Sequence, residues 1–258
     1  LDEVSDEVIT PVSLGRSDHG IYRVRHGFGY SRFLHEEALI DQELTVFTPL
    51  EESLKLWSLK LTNNSDKVRY LCLTYYAEWV LGTQRESTMP YILTSYDSQH
   101  EYLYAKNVYA MNFQNRYAYL FSNEKITGYT GDRKGFLGQK GNIREPRGAE
   151  VKLDGKTGGG YDPCGAIQIS VTIQPKESKT VLFGLGESDD LNQICEIKEK
   201  YRDITAAENE LDRVRAHWDR ILGTVQVKTS DRALDILVNG WLLYQSLSCR
   251  IQARAGFY

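Results

Sequence analysis

Leu54–Val80, LKLWSLKLTNNSDKVRYLCLTYYAEWV, decides the fold class. Trp57, Leu59 and Leu61 alternate with Ser58 and Lys60, the two-residue period of a strand with one buried face. Val68–Val80 is crowded with β-branched and aromatic residues, which suit a pleated surface. Between them, Asn63-Asn64-Ser65-Asp66 is turn chemistry. The stretch reads as a long antiparallel hairpin.

Working outward, Ile21–His26, Gly29–Glu36, Glu43–Thr48, Tyr102–Val108, Arg116–Ser122, Ala166–Gln174 and Lys179–Gly184 carry the same signal. Many strands without βαβ alternation predict a mainly β domain of two stacked antiparallel sheets over 1–187. Gly128–Gly165 interrupts the pattern with eleven glycines, including Gly158-Gly159-Gly160. So long an irregular stretch is expected to be a functional or mobile loop.

Near Ser188 the period changes to that of a helix. Leu191, Ile194, Cys195 and Tyr201 define a short amphipathic helix. Thr205-x-x-Glu208 reads as the capping box of a second, with Ile204, Ala207, Leu211, Val214, Trp218 and Ile221 as its apolar stripe and Gly223 at its end. Thr224–Lys228 reads as a brief strand, and Ser230 as the N-cap of a final helix over Asp231–Tyr258. That helix is apolar nearly all round through Leu234, Ile236, Leu237, Val238, Trp241, Leu242, Leu243, Tyr244, Leu247 and Ile251, so it requires burial in something large. The chain starts at Leu1 rather than Met. The expectation is a piece of a longer protein, divided as sandwich (1–187), helical linker (188–223) and start of a helical domain (224–258).

Composition narrows the function. The 258 residues carry 31 Lys+Arg against 35 Asp+Glu, a net charge of −4, which disfavours nucleic acid as a partner. No apolar run reaches membrane-spanning length. Cys72, Cys164, Cys195 and Cys249 are scattered without a CxxC pair, which fits reduced thiols in a cytoplasmic protein. The five histidines (His19, His26, His35, His100, His217) show no metal-ligand spacing, so no metal is expected. Tyrosine is abundant, at 17 residues, and its flat ring with a polar tip suits sugar contact as well as sheet surfaces.

Four local constellations stand out. Arg25–Phe33, RHGFGYSRF, is a polar, aromatic strand–turn that either faces a ligand or domain or is an ordinary hairpin. Gly131–Gly138, GDRKGFLG, lacks the spacing of a phosphate cradle and reads as a lid or a loop reaching a neighbouring subunit. Asp162-Pro163-Cys164 reads as a turn, since nothing in the sequence would activate the thiol. Glu78-Trp79, beside Tyr75 and Tyr76, is the best local candidate for sugar contact, although an aromatic on a long strand is more often core.

Taken in order, RVRHGFGYSRF (23–33), ELTVFTPLEESLKLWSLKLTNNSDKVRYLCLTYYAEWVLG (43–82), TGDRKGFLG (130–138), GGGYDPCGAIQ (158–168) and NGWLLYQSLSCRIQARAGFY (239–258) resemble glycoside hydrolase family 94, the cellobiose-phosphorylase-like proteins formerly classed as glycosyltransferase family 36. The likeness is greatest to its cyclic β-1,2-glucan synthase branch, with the β-1,2-oligoglucan phosphorylases next. The resemblance implies a galactose-mutarotase-like β-supersandwich, a two-helix linker and the first helix of a truncated (α/α)6 barrel. It implies inverting cleavage of β-glucosidic bonds with inorganic phosphate as co-substrate and no other cofactor. The family's general-acid Asp lies in a DWND-like motif that this sequence lacks, so no catalytic residue carries over. What carries over is accessory: Tyr30, Arg32, Asp132, Arg133 and Phe136 as rim or interface residues, with packing the simpler role for Phe136. The implied partners are a β-glucan or gluco-oligosaccharide, the missing barrel and a second copy in a homodimer. The parent could be anchored in the bacterial inner membrane with this region on the cytoplasmic side. The alternatives are a stand-alone carbohydrate-binding module and a mutarotase-type enzyme pairing His26 or His35 with Glu78.

Overall fold

The computed structural model describes residues 1–5, 7–13, 20–110, 113–139 and 141–251. His19 and residues 252–258, the last part of the expected final helix, lie outside them. Eleven antiparallel strands form two sheets among the described residues. The larger runs β1 (Ile21–Gly27), β2 (Tyr30–Glu37), β3 (Ile40–Phe47), β4 (Leu54–Asn63), β11 (Ser178–Ser188), β8 (Tyr117–Ser122), β7 (Tyr102–Asn107), β6 (Ile92–Asp97). The smaller runs β5 (Arg69–Glu78), β10 (Pro163–Ile173), β9 (Ile126–Asp132).

The alternation in β4 buries both of its faces. Leu59 and Leu61 join Leu71, Ile167, Ile169 and Val171 in the core between the sheets. Leu54 and Leu56 point the other way, to a second core under α3 (Leu191–Lys200) and α4 (Ile204–Leu222). From the helices, Ile194, Ile197, Tyr201, Ala207, Val214, Trp218 and Leu222 close that core. The large sheet is thus the middle of three layers, and each fully buried Leu or Ile contributes about 1.5–3 kcal/mol.

The expected hairpin over Leu54–Val80 does not form. β4 pairs with β3 and β11, whereas β5 pairs with β10 in the other sheet. The reason is Asn63, which is fully buried. Its Nδ2 donates to the carbonyls of Lys67 (2.7 Å), Ile173 and Gln174 (both 3.1 Å). Its Oδ1 accepts from the Ser65 amide (3.0 Å) and hydroxyl (2.6 Å). Its own N–H donates to the Glu177 carbonyl (2.9 Å). One side chain therefore ties the β4–β5 connection to the β10–β11 connection, and both cross from sheet to sheet.

The glycine-rich stretch is more ordered than expected. It contains most of β9, the short helix α2 (Arg133–Leu137) and a covering segment. Phe136, Leu137 and Leu153 pack on Ala166 and Tyr76 of the small sheet. β6 and β9 are strands that the sequence reading did not anticipate.

At the C-terminal side, α3 and α4 form as expected, but the first residue of the α4 cap is Asp203, whose side chain accepts from the Thr205 amide at 2.9 Å. Thr205 therefore does not open a capping box. Thr224–Lys228 is not a strand. The final helix is capped by Asp231 rather than Ser230; Asp231 accepts from the Ala233 and Leu234 amides. It continues over 232–251 through α5 (Arg232–Ile236) and α6 (Leu242–Ser246), each followed by a π turn (Leu237–Trp241, Leu247–Ile251).

Candidate functional site

The sequence-predicted residues fall into two places. At the end of β5, Glu78 meets Arg133 at the start of α2. The Arg133 Nε donates to Glu78 Oε1 at 2.8 Å, and the Tyr76 hydroxyl donates to the same oxygen at 2.7 Å. Arg85, on the short helix α1 (Arg85–Thr88), donates to the other Glu78 oxygen at 3.1 Å and also pairs with Asp162. Asp162 closes the ring with Arg133 at 3.6 Å. Each carboxylate thus touches both guanidiniums, and the cluster is neutral. Burial alone would raise the Glu78 carboxyl; hydrogen bonds from Arg133 and Tyr76 and the nearby charges outweigh it and hold the group below the usual carboxylate range. Burial, with the Glu78 hydrogen bond, pushes the Tyr76 phenol up.

Trp79 is core, 4% exposed between the sheets. Gly165 makes the room, because a Cβ there would lie 2.6 Å from the indole. Phe136 is buried, with its ring stacked on Tyr76 at 4.2 Å. Asp132 is buried and caps α2 through the Lys134 amide at 3.1 Å. The Asp132–Phe136 segment is therefore packed onto the sheet rather than standing off it as a lid. Arg85 and Asp162 complete the cluster; Asp162 showed only as turn chemistry and Arg85 gave no sequence signal. Burial raises the Cys164 thiol, which suits an inert structural cysteine. His26 and His35 lie on the large sheet and Glu78 on the small one, so the pairing for a mutarotase-type site is not formed.

The second place is a cleft of about 760 Å³ between the β1–β2 turn and the two C-terminal helices. Tyr30 lines it, with the Arg215 guanidinium 4.8 Å over its ring. Arg32, on the same strand, pairs with Glu43 at 3.2 Å in a neighbouring groove. The turn reaches the final helix directly: the Gly29 N–H donates to the Tyr244 hydroxyl at 3.1 Å, and the Phe28 and Tyr244 rings lie 5.1 Å apart. Gly29 has a φ of +81°, and a Cβ there would lie 2.6 Å from Trp218. Gly240 likewise leaves room for the Phe28 ring.

A three-layer β domain whose outer helices lead into a further helical segment is a supersandwich architecture. The supersandwich-domain model of glycosyl hydrolase 94 matches residues 1–204, and the catalytic-domain model of that superfamily matches 217–258. The chain belongs to the glycosyl hydrolase 94 family. It is 38% identical over its whole length to cyclic beta-(1,2)-glucan synthase NdvB of Rhizobium meliloti (strain 1021), of which it spans 9%. It is 26% identical, over 92% of its length, to N,N'-diacetylchitobiose phosphorylase of Vibrio proteolyticus, of which it spans 30%. Solabiose phosphorylase of Paenibacillus borealis matches at 25% over 91% of the chain and 31% of the relative. Among solved structures, a bacterial glucoamylase complexed with acarbose aligns with 78% of this chain and 29% of its own, at 12% identity and a TM-score of 0.44. Among the described residues, no helix is long and apolar enough to cross a membrane, and no group of three or more His, Cys, Asp or Glu could hold a metal ion.

Proposed function

We propose that this chain is the non-catalytic sandwich portion of a β-glucan-processing enzyme, joined through α3 and α4 to the opening helix of its catalytic domain. The observation that carries this reading is the family match itself: the supersandwich-domain model over 1–204, followed by the catalytic-domain model over 217–258. The whole enzyme would cleave or rearrange β-glucosidic bonds with inorganic phosphate as co-substrate, as the phosphorylase names among the relatives suggest.

The sandwich would carry the catalytic domain, support a homodimer and lend its surface to the active-site rim. Tyr30, Arg32 and Arg133 are the rim candidates that remain accessible; Asp132 and Phe136 support the segment from beneath. Free cysteines fit a cytoplasmic location. Within this reading the domain limits are proposed at 1–187, 188–223 and 224–258.

The test is a polypeptide in which this chain is continued by the remainder of a glycosyl hydrolase 94 catalytic domain. It should release glucose 1-phosphate from β-1,2-glucan and phosphate, and removing residues 1–204 should abolish that release. Full activity without 1–204 would overturn the supporting role.

A further inference from the structure

Another cleft, of about 440 Å³, opens where β11 ends and α3 begins. Every residue lining it falls within the supersandwich match, and none belongs to the final helix. Its walls carry five carboxylates, Glu51, Glu52, Glu187, Asp189 and Glu196, against two cations, Arg116 and Lys200. Both cations are already paired. Arg116 donates to both oxygens of Glu187, at 2.7 and 2.6 Å, and Lys200 meets Glu52 at 2.5 Å. Glu51 pairs with Arg213 at 3.0 Å, outside the lining. Asp189 and Glu196 have no ion-pair partner among the described residues, so the cleft keeps a surplus of two carboxylates. A second, independent sign of a missing partner lies beneath it. Tyr119 on β8 is fully buried, yet its hydroxyl has no hydrogen-bond partner among the described residues. That hydroxyl points to the cleft wall: a Cβ on Gly186 would lie 2.4 Å from it and 2.9 Å from the carbonyl of Ser53, a lining residue. Burial, and then the charges of Glu52 and Glu187, push its phenol up, so it stays neutral and able to accept a hydrogen bond from a cation.

The arrangement selects among cations. No group of three or more His, Cys, Asp or Glu among the described residues could hold a metal ion, so the carboxylates are too widely spread for a single point charge. About 9 Å of helix rise separates Asp190, the neighbour of Asp189, from Glu196. A flexible chain with an ammonium group at each end spans such a gap. The buried Ile197 gives its methylenes an apolar surface to lie on. We propose that this cleft binds a linear aliphatic polyamine, with Asp189 and Glu196 each taking one ammonium group. The site stands independently of the glucan-processing reading.

The experiment is a calorimetric titration of the 258-residue chain with spermidine, with butylamine and Mg²⁺ alone as controls. The expected result is saturable binding of one spermidine, clearly tighter than either control and weakened by added salt. Asp189→Asn with Glu196→Gln should weaken it roughly five- to tenfold. Asp66→Asn with Glu177→Gln removes the same charge near the opposite end of β11 and should leave binding unchanged. Tyr119→Phe keeps the ring and removes the unpartnered hydroxyl. It should weaken spermidine binding without lowering the urea midpoint, which a purely structural hydroxyl would not do. Circular dichroism establishes that all variants stay folded. No saturable binding, Mg²⁺ binding as tight as spermidine, equal losses from the two charge-matched pairs, or binding that Tyr119→Phe leaves unchanged overturns the site.

Discussion

Two residues show how local geometry is settled by distant partners. The β2–β3 hairpin turns on Ala38 and Leu39, whose φ angles are +52° and +62°. Such a turn favours Asn-Gly. Here the strained pair is held by Arg69, which donates to the Ala38 carbonyl at 2.6 Å, and by the Asn64 N–H, which donates to the Leu39 carbonyl at 2.8 Å. Ala38→Asn combined with Leu39→Gly should raise stability by about 0.5–1 kcal/mol, read as a higher urea midpoint. Gly29 behaves oppositely. Its left-handed backbone and the adjacent indole leave no room for a methyl, so Gly29→Ala should cost roughly 1–3 kcal/mol in the same measurement. It should also loosen the final helix, because Gly29 holds the Tyr244 hydroxyl.

Elements were legible in the sequence to the extent that one strand or helix carried its own pattern. The periods of β4, α3 and α4 read correctly because burial repeats along each of them. Which strands pair did not read. Leu54–Val80 looks like a hairpin, and only the buried Asn63 amide, bonded to residues more than a hundred positions away, sends β5 to the other sheet. β9 hid among glycines, since Gly128 and Gly131 lie where Gln168 and Thr94 leave no space for a Cβ.

The Arg85–Asp162 half of the ion cluster was invisible for the same reason: its partners come from four separate segments. That cluster pins the covering segment, described over 133–139 and 141–162, to the small sheet and makes its hold depend on pH. Glu78 titrates lower folded than unfolded. Its contribution is therefore complete above the unfolded carboxyl pKa of about 4.3 and is lost as pH falls through the lower folded value. Hydrogen exchange of 133–162, corrected for intrinsic pH effects, should stay slow at neutral pH and accelerate only in acid. Glu78→Gln should bring that fast exchange to neutral pH.

At the scale of the molecule, the final helix is the informative part. One stripe, with Gly240, Tyr244 and Leu247, packs on α4 and the β1–β2 turn. Leu234, Leu237, Val238 and Leu242 are exposed. An apolar face of this extent predicts self-association of the isolated chain. Sedimentation should show a concentration-dependent larger species, and Val238→Glu with Leu242→Glu should return it to monomer. The sequence already marked this helix as needing a larger body to cover it. The sugar-contact site it marked at Glu78-Trp79 proved to be a core tryptophan beside a neutralised ion cluster, because burial depends on Gly165 from another strand. The most direct measurement of the central claim is an assay of the 258-residue chain alone for glucose 1-phosphate, with β-1,2-glucan and inorganic phosphate. The account predicts no release above the enzyme-free control; sustained release that scales with chain concentration would contradict it.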